Sequence, residues 1–156
     1  MSSDLHFAKD LIFKDLDFSS DIEVLKFLSS KLYEKGFVKE GYQQAVLDRE
    51  KEYPTALPSV DIKIAIPHAN HTLVNKAALA IGILKNPVEF SSMEDPDTKL
   101  DVQIVIMMAL DEPHGHIEML QKIVKLIQNP VVLKQIVKAS SIEEVMNKLE
   151  LYLLNK

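Results

Sequence analysis

The sequence contains no cysteine, which excludes disulfides, thiolate zinc sites, iron–sulfur clusters and cysteine nucleophiles together. Glycine is scarce, with four in 156 residues, and none forms a phosphate-cradling loop, so nothing supports direct use of ATP or a dinucleotide. Positive charge is short as well: 18 Lys and Arg against 23 Asp and Glu leave a net charge of −5, which disfavours nucleic acid as a partner. No run approaches the roughly 18 to 20 apolar residues that a membrane helix requires, and Val102 to Leu110 is about half that length. Met1 to Asp10 alternates charged and apolar residues without the apolar stretch of a secretory signal, so a cytoplasmic protein without membrane insertion is expected.

What is present is the composition of a folded domain, 47% hydrophobic and 26% charged. Ser20 and Glu23 form a capping box, and Ile22, Leu25, Leu28 and Leu32 follow at helical spacing until Gly36. A second helix is predicted from about Gly41 to just before Pro54, and 57–61 reads as loop. The period then changes. Ile62, Ile64 and Ile66 alternate, Ala77 to Leu84 is continuously apolar, and Leu100 to Leu110 is rich in Val and Ile, which predicts three strands. Between the last two, Pro87 and the acidic residues 94–97 read as loop, with room for a short edge strand at Val88 to Phe90. After Pro113, Ile117, Leu120, Ile123, Val124 and Ile127 predict one helical face. Asn129-Pro130 and Ser141 with Glu144 open two further helices. The expected fold is one α/β domain over residues 15–156, a small mixed sheet flanked by helices, preceded by an N-terminal extension over residues 1–14.

Four of the five histidines fall in two groups, His68 with His71 and His114 with His116, each just after a predicted strand. Loops at strand ends carry function because rigid backbone supports accessible side chains. Pro67 fixes its own φ and presents His68 from a stiff support, whereas Asn70-His71-Thr72 reads as a solvated turn. His114 and His116 are two apart, so at most one faces a common site unless the helix begins between them. A metal is weakly supported, because no carboxylate sits at a ligand-like offset and no His-x-x-x-His signature is present. A serine hydrolase lacks its Gly-x-Ser-x-Gly elbow. Histidine itself then stands as the nucleophile: a neutral imidazole has a free lone pair that can attack a phosphoryl group without a separate base. A cation and hydrogen-bond donors would serve the phosphoryl oxygens, with Arg49, His116 and Thr55 as candidates.

Arg49-Glu50, Tyr53-Pro54-Thr55, Ile64-Ala65-Ile66-Pro67-His68 and His116-Ile117-Glu118-Met119-Leu120 occur in this order. Over about residues 15–153 the series resembles the IIA component of the bacterial phosphoenolpyruvate:sugar phosphotransferase system, fructose/mannitol class. Arg49 through Thr55, Leu84-Lys85-Asn86-Pro87-Val88, and Glu112-Pro113-His114 followed by Glu118-Met119-Leu120-Gln121 are similar to the galactitol-type branch. The resemblance implies that His68 accepts a phosphoryl group from the phosphocarrier HPr through its Nε2 and passes it to the IIB component of a sugar permease. It implies Arg49 as a charge-assisted donor to the phosphoryl oxygens, His116 as the second imidazole, and Thr55 as a nearby hydroxyl. No cofactor is implied. Ala69 stands where many members have Gly; galactitol-type members often have Gln at the position of His116, and some carry a histidine matching His114, so both remain candidates, with His116 favoured. The resemblance also covers nitrogen-type regulatory IIA proteins, whose Arg49–Thr55 region usually reads Gly-Ser-Thr; Tyr53-Pro54-Thr55 leans towards sugar transport. Tyr53, Leu57 and Ala69 are expected to contribute to a partner surface around His68.

Overall fold

The computed structural model describes residues 5–154. Five strands, β1 (Ile12–Leu16), β2 (Ala56–Leu57), β3 (Lys63–Ala65), β4 (Ala78–Ser91) and β5 (Lys99–Ala109), form one sheet in the order β1-β4-β5-β3-β2. The sheet is mixed: β1 runs parallel to β4 and β3 to β5, while β4/β5 and β2/β3 are antiparallel. Alternation along the two central strands supplies two cores. Ala78, Ala80 and Leu84 of β4 face α1 (Asp21–Glu34) and α2 (Tyr42–Glu52). Leu79, Ile81 and Ile83 face α3 (Gly115–Ile127), α4 (Pro130–Val137) and α5 (Ile142–Leu153). The sheet is therefore a middle layer between two helical layers, as expected.

Local signals explain the helix ends. Ser20 accepts from the Glu23 amide while the Glu23 carboxylate accepts from the Ser20 amide, so both halves of the α1 capping box are made. At its other end Gly36 takes φ 82°, and Gly36 N–H and Phe37 N–H donate to the Tyr33 and Leu32 carbonyls, the paired bonds of a Schellman stop. In α5 only half of the second capping box forms: Ser141 accepts from Glu144 N–H, but Glu144 reaches back to Ser140.

Several expectations are corrected. The boundary after residue 14 falls inside β1, and Leu11 and Ile12 are buried, so residues from at least Leu11 onward belong to the packed unit; residues 1–4 of the expected extension and 155–156 at the other end lie outside the described residues. A register irregularity between Phe13 and Leu16, with Asp15 at φ 54°, breaks the two-residue period that would have marked this strand. Part of the loop at 57–61 is β2, too short to show a period. Val88 to Phe90 continues β4 in the central hairpin instead of forming a separate edge strand. A bulge between Ile83 and Val88 leaves Lys85, Asn86 and Pro87 exposed and accommodates a residue with no amide hydrogen to donate. The buried stripe of α3 is Met119, Ile123 and Leu126, whereas Ile117 is 57% exposed.

Candidate phosphoryl-transfer site

β3 ends at Ala65, and the chain leaves the sheet through buried Pro67 into His68. Two sets of bonds hold this exit. On one side, Met108 N–H donates to the Pro67 carbonyl and His68 pairs with Met108 in an isolated parallel bridge. The Met108 carbonyl in turn accepts from the hydroxyl of Tyr42, a wholly buried residue at the start of α2. On the other side, Ile66 N–H is shared between the Thr55 carbonyl at 3.3 Å and the Thr55 hydroxyl oxygen at 3.2 Å. Pinned backbone of this kind fixes a side chain better than a free loop does.

The His68 ring is oriented by its own backbone. Its Nδ1 lies 2.9 Å from the Ile66 carbonyl oxygen, which only accepts, so Nδ1 carries the proton and Nε2 keeps its lone pair. The His116 ring stacks on it, centroids 4.5 Å apart at 29°. Burial first, and then the Arg49 charge, hold His68 below the ordinary imidazole range, against the opposing effect of its bond to Ile66. Burial also pushes His116 down to about 4, helped by the His68 ring, Arg49 and His71. Both rings are thus neutral near pH 7. The buried Nε2 of His116 has no hydrogen-bond partner among the described residues. An unpaired buried polar atom is costly, so this nitrogen keeps hydrogen-bonding capacity to spare beside the His68 ring.

Consecutive residues of α2 point about 100° apart, and Arg49 and Glu50 divide accordingly. Arg49 is exposed, its guanidinium 5.5 Å from the Tyr53 ring centroid, and it borders an open depression of about 360 Å³ with Tyr53, Ala69 and Asn70. Glu50 is buried and accepts from both Thr55 N–H at 2.9 Å and the Thr55 hydroxyl at 2.8 Å. Burial raises its carboxyl to about 7, opposed by these two bonds.

Of the five residues singled out from the sequence, the structure brings His68, His116 and Arg49 into mutual electrostatic contact. Thr55 is close by but buried, with its hydroxyl proton given to Glu50, so it supports the backbone and does not present a free donor. His114 is exposed at the N-cap of α3; the helix begins between the two histidines, which separates their directions. His71 is half-buried in a short turn stabilised by Asn70, whose side chain accepts from Thr72, and its charge is felt at His116. Tyr42 and Glu50 were not singled out for the site; a tyrosine and a glutamate in a mostly polar helix carry no local sign of burial. Of the expected partner surface, Tyr53 is 59% exposed, but Leu57 pairs with Ile64 in the β2/β3 ladder and Ala69 enters the core, so both are buried. No cluster of three or more His, Asp or Glu side chains among the described residues is arranged to hold a metal ion.

Known proteins resemble this chain in sequence and fold. Residues 5–151 match the family described as Phosphoenolpyruvate-dependent sugar phosphotransferase system, EIIA 2. The galactitol-specific EIIA component of Escherichia coli K12 is 26% identical over 122 residues, spanning 78% of this chain and 81% of that protein. Among solved structures, the complex of mannitol enzyme IIA with phosphorylated enzyme IIB from Escherichia coli aligns with a TM-score of 0.78 at 25% identity, covering 93% of this chain and 97% of that one. The nitrogen regulatory protein IIA-Ntr of Neisseria meningitidis shares the fold, with a TM-score of 0.73 at 23% identity over 93% of this chain and 95% of that one. This chain belongs to the EIIA type 2 family of the phosphoenolpyruvate-dependent sugar phosphotransferase system, a family of phosphoryl-relay components.

Proposed function

We propose that this chain carries a phosphoryl group on Nε2 of His68, taking it from phosphorylated HPr and passing it to a IIB component for uptake of a galactitol-like hexitol or related sugar. The observation that carries this reading is the pairing of a His68 ring whose Nδ1 is committed to Ile66 with a stacked His116 whose buried Nε2 lacks a partner. In the first transfer the Nε2 lone pair attacks phosphorus, a P–N bond forms to His68, and the P–N bond of the donor phosphohistidine breaks. The released electron pair returns to the donor imidazole. His68 keeps its Nδ1 proton throughout and becomes a cationic ring bearing the phosphoryl dianion, with the Ile66 carbonyl accepting from Nδ1–H. Arg49 stabilises the phosphoryl oxygens, and His116 donates a hydrogen bond to them, gaining a proton affinity that its empty surroundings deny it. Arg49, Tyr53 beside it and Ile117, which follows His116 in the chain, are exposed and form the surface that receives both partners.

The galactitol-specific relative and the mannitol IIA–IIB complex support the transport reading. The shared fold of the nitrogen regulatory protein supports a second, in which phosphorylation controls a partner protein. Tyr53-Pro54-Thr55 favours transport. The test is intact mass after incubation with phosphoenolpyruvate, enzyme I and HPr, followed by addition of a IIB protein. One acid-labile, alkali-stable phosphoryl group that is then lost to IIB supports the relay. No added mass, with HPr itself phosphorylated, overturns it; a label that IIB does not take up favours regulation.

A further inference from the structure

Arg49-Glu50 marks the family resemblance, yet the transfer chemistry uses only the arginine. Glu50 is one of four buried polar or charged residues among those described, and an isolated buried carboxyl is expensive unless its oxygens are hydrogen-bonded. Here both oxygens accept from a single residue, Thr55. Thr55 immediately precedes β2, and its carbonyl and hydroxyl oxygens both accept from Ile66 N–H, one step beyond the β2/β3 ladder. The Ile66 carbonyl then accepts from Nδ1–H of His68. Hydrogen bonds joined through the Ile66 backbone therefore run from α2 to the imidazole proposed to react, and each is within 3.3 Å.

We propose that Glu50 is a positioning residue for phosphoryl transfer: by clamping Thr55 it fixes the Ile66 backbone, whose carbonyl holds the His68 ring with its proton on Nδ1 and its lone pair on Nε2. The proposal rests on His68 being the phosphoryl acceptor. Thr55 is the intermediate link, because its hydroxyl donates to Glu50 and accepts from Ile66 at once. The opposite anchor, Tyr42 through Met108 to Pro67, holds the His68 backbone but does not bond to Ile66, whose carbonyl accepts the ring proton.

Loosening a reactive group by a fraction of an ångström to an ångström slows reactions roughly ten- to a hundredfold. Glu50→Gln keeps the size and one acceptor for Thr55 N–H but removes the acceptor for the hydroxyl proton; Thr55→Val removes the hydroxyl and keeps the shape. Each variant is expected to transfer the phosphoryl group from phosphorylated HPr to His68 at least about tenfold more slowly while still reaching full labelling. The double variant is expected to lose little beyond either single one, because both break the same series of bonds. In isotope-labelled protein, the ring nitrogens of His68 are expected to shift from a pure Nδ1–H form to a mixture. Melting curves recorded alongside identify the folded fraction. Unchanged rate and unchanged ring signals in folded Glu50→Gln, with wild type labelled at His68, would overturn the positioning role alone. A rate loss that follows only the unfolded fraction, or additive losses in the double variant, would also overturn it. Failure of wild type to label at His68 would instead overturn the reading on which it rests.

Discussion

The two sides of α2 treat their polar groups in opposite ways. Towards α1 lies a groove of about 390 Å³ whose lining includes Ser29, Tyr33 and Gln43. It is well satisfied: the Gln43 amide nitrogen lies 2.9–3.1 Å from the Ser29 and Ser30 hydroxyl oxygens and the Lys26 carbonyl, and Ser29 donates to the Leu25 carbonyl. On the other side Arg49 borders a depression of similar volume, about 360 Å³, and beyond it the His116 nitrogen has no partner among the described residues and burial holds both imidazoles below their ordinary range. Two hollows of similar volume thus differ in unmet hydrogen-bonding capacity, and it is this difference that points to the His68 side as the proposed site of transfer.

The contrast is open to direct attack. The largest effect belongs to His68→Ala, which is expected to retain the fold and lose all phosphohistidine in the mass assay; labelling at wild-type level would place the acceptor elsewhere. Arg49→Lys comes next, with transfer slowed about a hundredfold, because a point charge does not reproduce the guanidinium fork on phosphoryl oxygens. A rate equal to wild type in stopped transfer assays would remove Arg49 from the site. His116→Gln preserves a donor but not the ring, and transfer should slow roughly tenfold with labelling complete.

The same substitution sharpens the comparison through pH. Because burial pushes His116 down to about 4 in the fold, against 6.5 for a free imidazole, the unfolded chain takes up the proton first. The fold therefore loses stability as pH falls from 6.5 towards 4, and His116→Gln should soften that loss in melting curves taken at about pH 7.5 and about pH 5. An equal acid shift in both proteins would show that the ring is not held neutral. The smallest effect on transfer is expected from Gln43→Ala, in the satisfied groove: stability should drop by about 1 kcal/mol, with phosphorylation unchanged.

Sequence patterns revealed the parts of this molecule whose signals are local. Ser20 with Glu23, Gly36 and Pro130 fix helix ends within a few residues, and the apolar runs of β4 and β5 mark strands buried on both faces. β1 escaped because the irregularity around Asp15 cancels its period, and β2 because two residues have none. At the proposed site, His68 is legible because Pro67 presents it stiffly at a strand exit, and Arg49 as a cation within the Arg49-Glu50 motif. The choice of His116 over His114 depended on where α3 starts, and the roles of Thr55 and Glu50 depended on a burial that only tertiary contact creates. Tyr42 is the clearest case: its hydroxyl reaches a carbonyl 66 residues away, a bond with no trace in the local pattern.

The proposed transfer requires one imidazole to be ready at one nitrogen. Nuclear magnetic resonance of the isotope-labelled His68 ring, before and after phosphorylation by phosphoenolpyruvate, enzyme I and HPr, tests this most directly. The expected result is a neutral ring protonated at Nδ1 beforehand and a phosphorus coupling at Nε2 afterwards. Phosphoryl attachment at Nδ1, or on another histidine, would contradict it.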